Sequence, residues 1–292
     1  MINDSHVHFF SPSFFAGLGA SKQAVTALGW EHPESVEKLG ARWTAELDRH
    51  KVGKAALIAS LPGDADAVAK AVALNTDRFV GFFMLDPTRE DAIAYAGRAL
   101  DEGLRTICLF PAMHRYPLYD ERVARVFELA AGRRGGTVDP IAIFVHCGVL
   151  SVGIRQKLNL PSQFEMRFGN PLDLQGHALK HPGVPIVIPH FGAGMLREAL
   201  MVADCCANVY LDTSSSNSWI KFVPGLTLEQ VFKTALDVVG PERLLFGTDS
   251  SFFPRGWNRE VYERQQAALN AIGVSKPAQD KIFGDNFARL FC

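Results

Sequence analysis

Two histidines one residue apart open the chain, in Asp4-Ser5-His6-Val7-His8. Three further residues that can ligate a metal or move a proton each end an apolar run: His146 closes IAIFVH, His190 closes VPIVIPH and Asp249 closes LLFGTD. Imidazole nitrogens and a carboxylate oxygen form a donor set suited to Zn²⁺, or to Mn²⁺, Fe²⁺ or Co²⁺. An apolar strand has no packing need for such side chains. A short His-x-His spelling also arises by chance, so His6 and His8 alone read equally as two satisfied strand histidines. The elements that carry them decide between the readings.

In a β-strand residues i and i+2 share a face, so His6 and His8 point the same way. Eight short apolar runs occur, at residues 2–9, 52–60, 78–85, 104–110, 141–148, 184–192, 208–214 and 243–250. Between them lie segments of helical periodicity, among them 64–75, 89–102, 120–131, 194–206 and 228–239, followed by 258–272 and 276–291. Continuous Val, Ile, Leu and Phe runs alternating with helices are the pattern of parallel strands buried on both faces. Eight such units predict one (β/α)8 TIM barrel domain over residues 1–292. A doubly wound sheet would place a G-x-G-x-x-G turn after the first strand, and none follows it. In a barrel the five polar residues gather at the C-terminal mouth of the strands. A metal held by His6, His8, His146 and Asp249 would tie strands 1, 5 and 8 together and keep a position open for water or substrate. The long connections 10–34 and 149–176 are expected to wall that mouth.

Composition narrows the function classes. The chain has 292 residues with 30 Lys and Arg against 31 Asp and Glu, and no basic run. That balance argues against nucleic acid or an anionic membrane surface as partner and leaves a small molecule. No apolar stretch reaches the length of a membrane span and no signal-peptide pattern opens the chain, so a cytoplasmic protein is expected. Five cysteines without C-x-x-C spacing fit reduced thiols and disfavour a thiolate zinc site.

Together, DSHVH at strand 1, FVH at strand 5, PHFG at strand 6, FGTD at strand 8 and the terminal DNFARLF resemble the amidohydrolase superfamily. The resemblance is to the amidohydrolase-related (amidohydrolase 2) branch, which includes aminocarboxymuconate semialdehyde decarboxylase, and it runs from end to end. It implies that His6, His8, His146 and Asp249 ligate a metal, that Asp249 also shuttles a proton, and that His190 acts beside the metal as base or electrophilic partner. Members with two metals carry a bridging Lys or Glu on strand 4, and LRTICLF offers neither, so a single divalent ion is implied, zinc first. Some aromatic-acid decarboxylases of the branch begin with Glu-x-His or Glu-Glu-His. The full His-x-His here favours hydrolysis of an amide, lactone or ester over decarboxylation of an aromatic or muconate-like acid. The branch also holds a metal-independent lactonase, and a barrel that binds a metabolite without turnover is the remaining alternative.

Other residues carry open readings. Arg255 and Trp257, in SSFFPRGW, belong to the loop over the mouth and are candidates to bind a substrate carboxylate, against a salt-bridged or stacked Arg and Trp. Arg155 and Arg167 in the fifth connection are candidates to close a dry pocket around an aromatic acid. Taken singly, His190 also reads as a core histidine donating to a carbonyl. Asp4 either orients a ligand histidine or ends the N-terminus, Asp212 near the end of strand 7 has no assigned role, and Cys147 is read as packing outside the barrel interior. Gly192 and Gly194 are read as a tight turn. A homodimer is compatible with the composition.

Overall fold

The computed structural model describes residues 1–133 and 141–292. Eight parallel strands pair in chain order: β1 (Ile2–Phe9), β2 (Val52–Ala59), β3 (Phe79–Leu85), β4 (Thr106–Leu109), β5 (Ala142–Val145), β6 (Ile186–Ile188), β7 (Val209–Asp212) and β8 (Leu244–Leu245). Ser5 N–H donates to the Phe246 carbonyl at 2.8 Å and His8 N–H to that of Ser250 at 2.7 Å, bringing the last segment back onto β1 and closing a (β/α)8 barrel.

Alternation along the strands divides the apolar side chains into two cores. Ala56, Ile58, Val80, Phe82, Cys108, Phe144, Val187 and Leu245 fill the barrel interior. Their neighbours Leu57, Phe83, Ile107, Val145, Cys147, Ile188 and Leu211 face the surrounding helices. Cys147 therefore packs outside the barrel, as its place next to His146 predicts. Below the interior layer, Phe287, Leu290 and Phe291 of the last helix plug the barrel, with the rings of Phe291 and Phe82 4.9 Å apart. One end is sealed by apolar side chains, which leaves the C-terminal ends of the strands as the open mouth.

Three segments depart from the periodicity. The run at 184–192 is strand only to Ile188, after which His190, Phe191 and Ala193 all adopt left-handed backbone. Gly192 and Gly194 share that conformation, so the turn reading is correct. Residues 276–291 are helical throughout, as the periodicity predicts, but widen into a π-helical stretch at Lys281–Asp285. There the Ile282 carbonyl accepts from Phe246 N–H at 3.0 Å and the Gly284 carbonyl from the Asn3 amide at 3.2 Å, so two carbonyls serve the strands. The connection after β1 folds into helices Pro12–Gly17 and Lys22–Ala27, capped by Ser11 and Ser21, and into the long helix Val36–His50, capped by Ser35. Phe14, Phe15, Val25 and Trp30 from this connection pack with Ile154 of the fifth, forming an apolar roof at one side of the mouth. Among the described residues no helix is long and apolar enough to cross a membrane.

Candidate active site

β1 places Val7 and Phe9 in the outer core, so His6 and His8 turn inward. Gly247 makes room for them: a Cβ there would lie 2.8 Å from the His6 Cβ and 2.9 Å from the Ser214 Cβ. His6 is fully enclosed, with Nδ1 2.7 Å from Asp212 Oδ2. A carboxylate oxygen only accepts, so Nδ1 carries a proton, and in the neutral ring that a metal requires the lone pair sits on Nε2. The same logic fixes His8. Its Nδ1 lies 2.7 Å from Ser60 Oγ, and that hydroxyl already donates to the Ile58 carbonyl at 3.0 Å, so it accepts from His8.

Both Nε2 lone pairs then converge. They are 3.3 Å apart, and Asp249 Oδ1 is 3.2 Å from His8 Nε2 and 3.7 Å from His6 Nε2. The donor atoms of His6, His8 and Asp249 all lie within 4.8 Å of one another. Two nitrogen lone pairs and a carboxylate facing one point repel each other unless a cation joins them, so the donor set fits a divalent ion of the zinc type. Asp249 reaches this point from left-handed backbone, its N–H given to the His6 carbonyl at 2.9 Å.

His146 and His190 stand beside this group. Their rings are 5.2 Å apart, and the His190 ring stacks on His6 at 5.0 Å. His146 lies outside the close set, and its buried Nδ1 has no hydrogen-bond partner among the described residues. His190 Nδ1 is 2.9 Å from Ser214 Oγ and 3.2 Å from the Ser214 carbonyl, so it is both a core histidine with a carbonyl partner and a lining residue of the site.

Burial and charge tune these groups in opposite directions. Burial works against charge on His6, but Asp212, Asp249 and Asp4 outweigh it and raise its pKa above the ordinary histidine value. Burial lowers His8 and His190, and with the neighbouring imidazoles it holds His146 well below that value. For Asp249 burial pushes upward, but the His8 hydrogen bond and the charges of His6, His8 and His190 keep it well under the usual carboxylate range.

Asp4 does not touch a histidine ring. Oδ1 accepts from the backbone of His6 at 2.9 Å and of Thr248 at 3.0 Å, while Oδ2 accepts from Thr248 Oγ1 at 2.5 Å and Trp257 Nε1 at 2.7 Å. The buried carboxylate thus joins the backbones of β1 and the segment bearing Asp249. Trp257 is placed behind the site and does not line it.

The mouth opens on a cavity of about 310 Å³ lined by His6, His8, His146, His190 and Asp249 on its floor. Its walls are mostly apolar and include Phe10, Trp30, Phe110 and Phe252, with Lys157 and Arg255 as the cations. The Arg255 guanidinium lies over the Phe252 ring at 4.6 Å and donates to the Asp249 carbonyl at 3.2 Å. Arg155 and Arg167 do not line it: Arg155 donates to the Pro161 carbonyl and Arg167 pairs with Glu165. Asp212, Ser60 and Ser214 are functional neighbours that motif reasoning left without a role. Asp212 alone had a signal, as a carboxylate at a strand end.

A search of curated proteins finds none that matches the chain. Solved structures share the fold at low identity. A TIM-barrel protein from Bordetella bronchiseptica, described as uncharacterized, is 18% identical with a TM-score of 0.67, covering 99% of this chain and 97% of that one. A protein from Acinetobacter baumannii named as a probable 2-pyrone-4,6-dicarboxylic acid hydrolase, with citric acid bound, is 15% identical at a TM-score of 0.61, with coverage of 99% and 98%. An amidohydrolase from Burkholderia multivorans with bound zinc is 18% identical at 0.63, with coverage of 99% and 98%. At these identities the likeness speaks for the barrel. The family is settled by a model described as amidohydrolase that matches residues 4–291, and the chain belongs to the amidohydrolase family.

Proposed function

We propose that this chain is a metal-dependent hydrolase of a small cyclic or acyl substrate, an amide, lactone or ester, using one divalent ion. His6, His8 and Asp249 would hold the ion, with His146 as the further ligand that the family resemblance implies. The observation that carries the reading is the convergence of two fixed Nε2 lone pairs and a carboxylate oxygen on one point at the floor of an open chamber. Zinc is the favoured ion on the chemistry of the donor set, and the Burkholderia multivorans barrel holds zinc.

When bound, the ion supplies Lewis acidity, which acidifies water and polarises a carbonyl. The remaining work belongs to the chain. Asp249, partly exposed to the chamber, takes a proton from the attacking water and returns it to the leaving group. Burial works against charge on His190, and with Nδ1–H given to the Ser214 carbonyl its other nitrogen is the one that accepts a proton. That tautomer favours the base role, because stabilising an oxyanion requires a proton on the second nitrogen as well. Arg255 keeps N–H groups beyond those given to Asp249 and Ser251, and these suit a substrate carboxylate.

The apolar walls favour a second reading, nonoxidative decarboxylation, since excluding water promotes protonation of carbon over attack by hydroxide. Reaction in ¹⁸O-labelled water with lactones, amides and aromatic acids separates them. A hydrolase places label in its product. Release of carbon dioxide with solvent hydrogen on carbon and no label would overturn the proposal in favour of a carboxy-lyase.

A further inference from the structure

The floor residues His146, His190 and Asp249, together with Ser151 of the connection after β5, border a second cavity besides the aromatic one. It has a volume of about 350 Å³, and Ser215, Ser216, Ser218 and Lys221 stand in its wall. Two chambers of unlike chemistry therefore meet at the candidate reacting centre.

The first is a slab of near-parallel rings. Phe10 stacks on Phe14 at 4.1 Å with 4° between planes, and Trp30 on Phe252 at 3.9 Å with 8°. The two pairs are joined through Phe10 and Trp30, 6.3 Å apart at 20°, so one side of the chamber is a continuous run of aromatic rings. An aryl guest suits such a lining, because contacts between rings contribute beyond their buried area.

The second chamber is built from the turn after β7. Left-handed backbone at Ser215 and Asn217 bends the turn, the Asn217 amide donates to the Thr213 carbonyl at 3.1 Å, and Trp219 Nε1 donates to Asn217 Oδ1 at 3.0 Å. Asn217 is thereby spent inside the turn. The exposed side chains of Ser216 and Ser218 make no hydrogen bond among the described residues, and the exposed Lys221 forms no ion pair among them, resting over Phe222 at 5.3 Å. Hydroxyl donors and an uncommitted ammonium suit an anion. Between the chambers stands His146, which lines both.

We propose that the substrate is a two-part molecule: an aryl group in the ring-walled chamber beside Arg255, joined by an amide or ester across the floor to a short part whose carboxylate is held by Lys221 and the Ser215–Ser218 turn instead of by Arg255. The nature of the joining bond rests on the hydrolytic reading above. In that reaction the acyl C–N or C–O bond breaks, hydroxide from water joins the acyl carbon, and the proton goes to the departing nitrogen or oxygen. Binding of the two parts does not depend on turnover.

Calorimetric titration of the full chain with N-benzoylglycine and with benzamide tests this. N-benzoylglycine should bind about tenfold more tightly than benzamide, as one charge-assisted contact allows. Lys221→Met should erase that margin while leaving benzamide binding unchanged, and Phe252→Leu should weaken both ligands alike. Equal affinity of the two ligands in the wild type, no binding of N-benzoylglycine, or a margin that survives Lys221→Met would overturn the proposal. The expected margin without cleavage of the amide in the zinc-supplemented protein supports the substrate class and counts only against the hydrolytic reading.

Discussion

His6 and His8 owe their role to the atoms behind them. Asp212 and Ser60 each accept a hydrogen bond from Nδ1–H, and that directs both Nε2 lone pairs toward Asp249. Replacing Asp212 by Asn offers His6 an amide that can donate as well as accept, which releases the tautomer. Loss of such a partner behind a ligand lowers metal affinity by about 10- to 100-fold. Asp212→Asn should show that loss in competition with a chelating dye. Asp249→Asn should behave differently, because the amide keeps an oxygen donor but cannot take a proton at neutral pH. Its kcat should fall by about 10² to 10⁴, the usual worth of a positioned acid or base, with a smaller change in metal retention. Near-normal turnover in this variant would remove Asp249 from proton transfer.

At the scale of elements the weak seam is between β1 and β8: the two residues of β8 pair with β7, and the segment after them meets β1 through the isolated bridge Val7–Ser250. Asp4 reinforces the seam through His6, Thr248 and Trp257. Burial raises its pKa to about 6 against the opposing hydrogen bonds of Thr248, His6 and Trp257. Trp257→Phe removes one donor from a buried carboxylate, a loss of about 1.5–3 kcal/mol for a charged acceptor. The sign of its pH dependence follows. With one donor fewer the folded-state pKa rises further, and an acid with a raised folded pKa loses stability as pH climbs through that value. Urea unfolding should therefore show a larger penalty at pH 8 than at pH 5, and a penalty independent of pH would mean that Asp4 is not the group affected. Trp257 also shows what sequence reading reaches. His6, His8 and Asp249 were legible because strand alternation and the ends of apolar runs place them without knowledge of any other element. Trp257 and Ser60 were not, since their partners depend on how distant segments lie side by side, 253 residues apart for Trp257 and Asp4. The left-handed turn at His190 and the π-helical stretch at 281–285 were hidden for the same reason: the Ala193 carbonyl accepts from Val149 and the Ile282 carbonyl from Phe246, bonds to other elements that override local periodicity.

The whole molecule has two unlike ends. The last helix seals one with Phe287, Leu290 and Phe291, and the loops after β1, β5, β7 and β8 build chambers at the other. Phe291→Ala should destabilise the barrel by about 3–5 kcal/mol as a buried aromatic is lost, with metal content unchanged because the plug lies away from the ligands. A midpoint of unfolding equal to that of the wild type would show that the plug is not part of the core. A barrel alone does not select a chemistry, so the account stands on the metal group at the mouth. Elemental analysis of the full chain purified without chelator, beside His8→Ala prepared in the same way, tests that group most directly. The account predicts about one divalent ion per wild-type chain and a clear loss in the variant. Two ions per chain, none even after zinc is added, or undiminished metal in His8→Ala would contradict it.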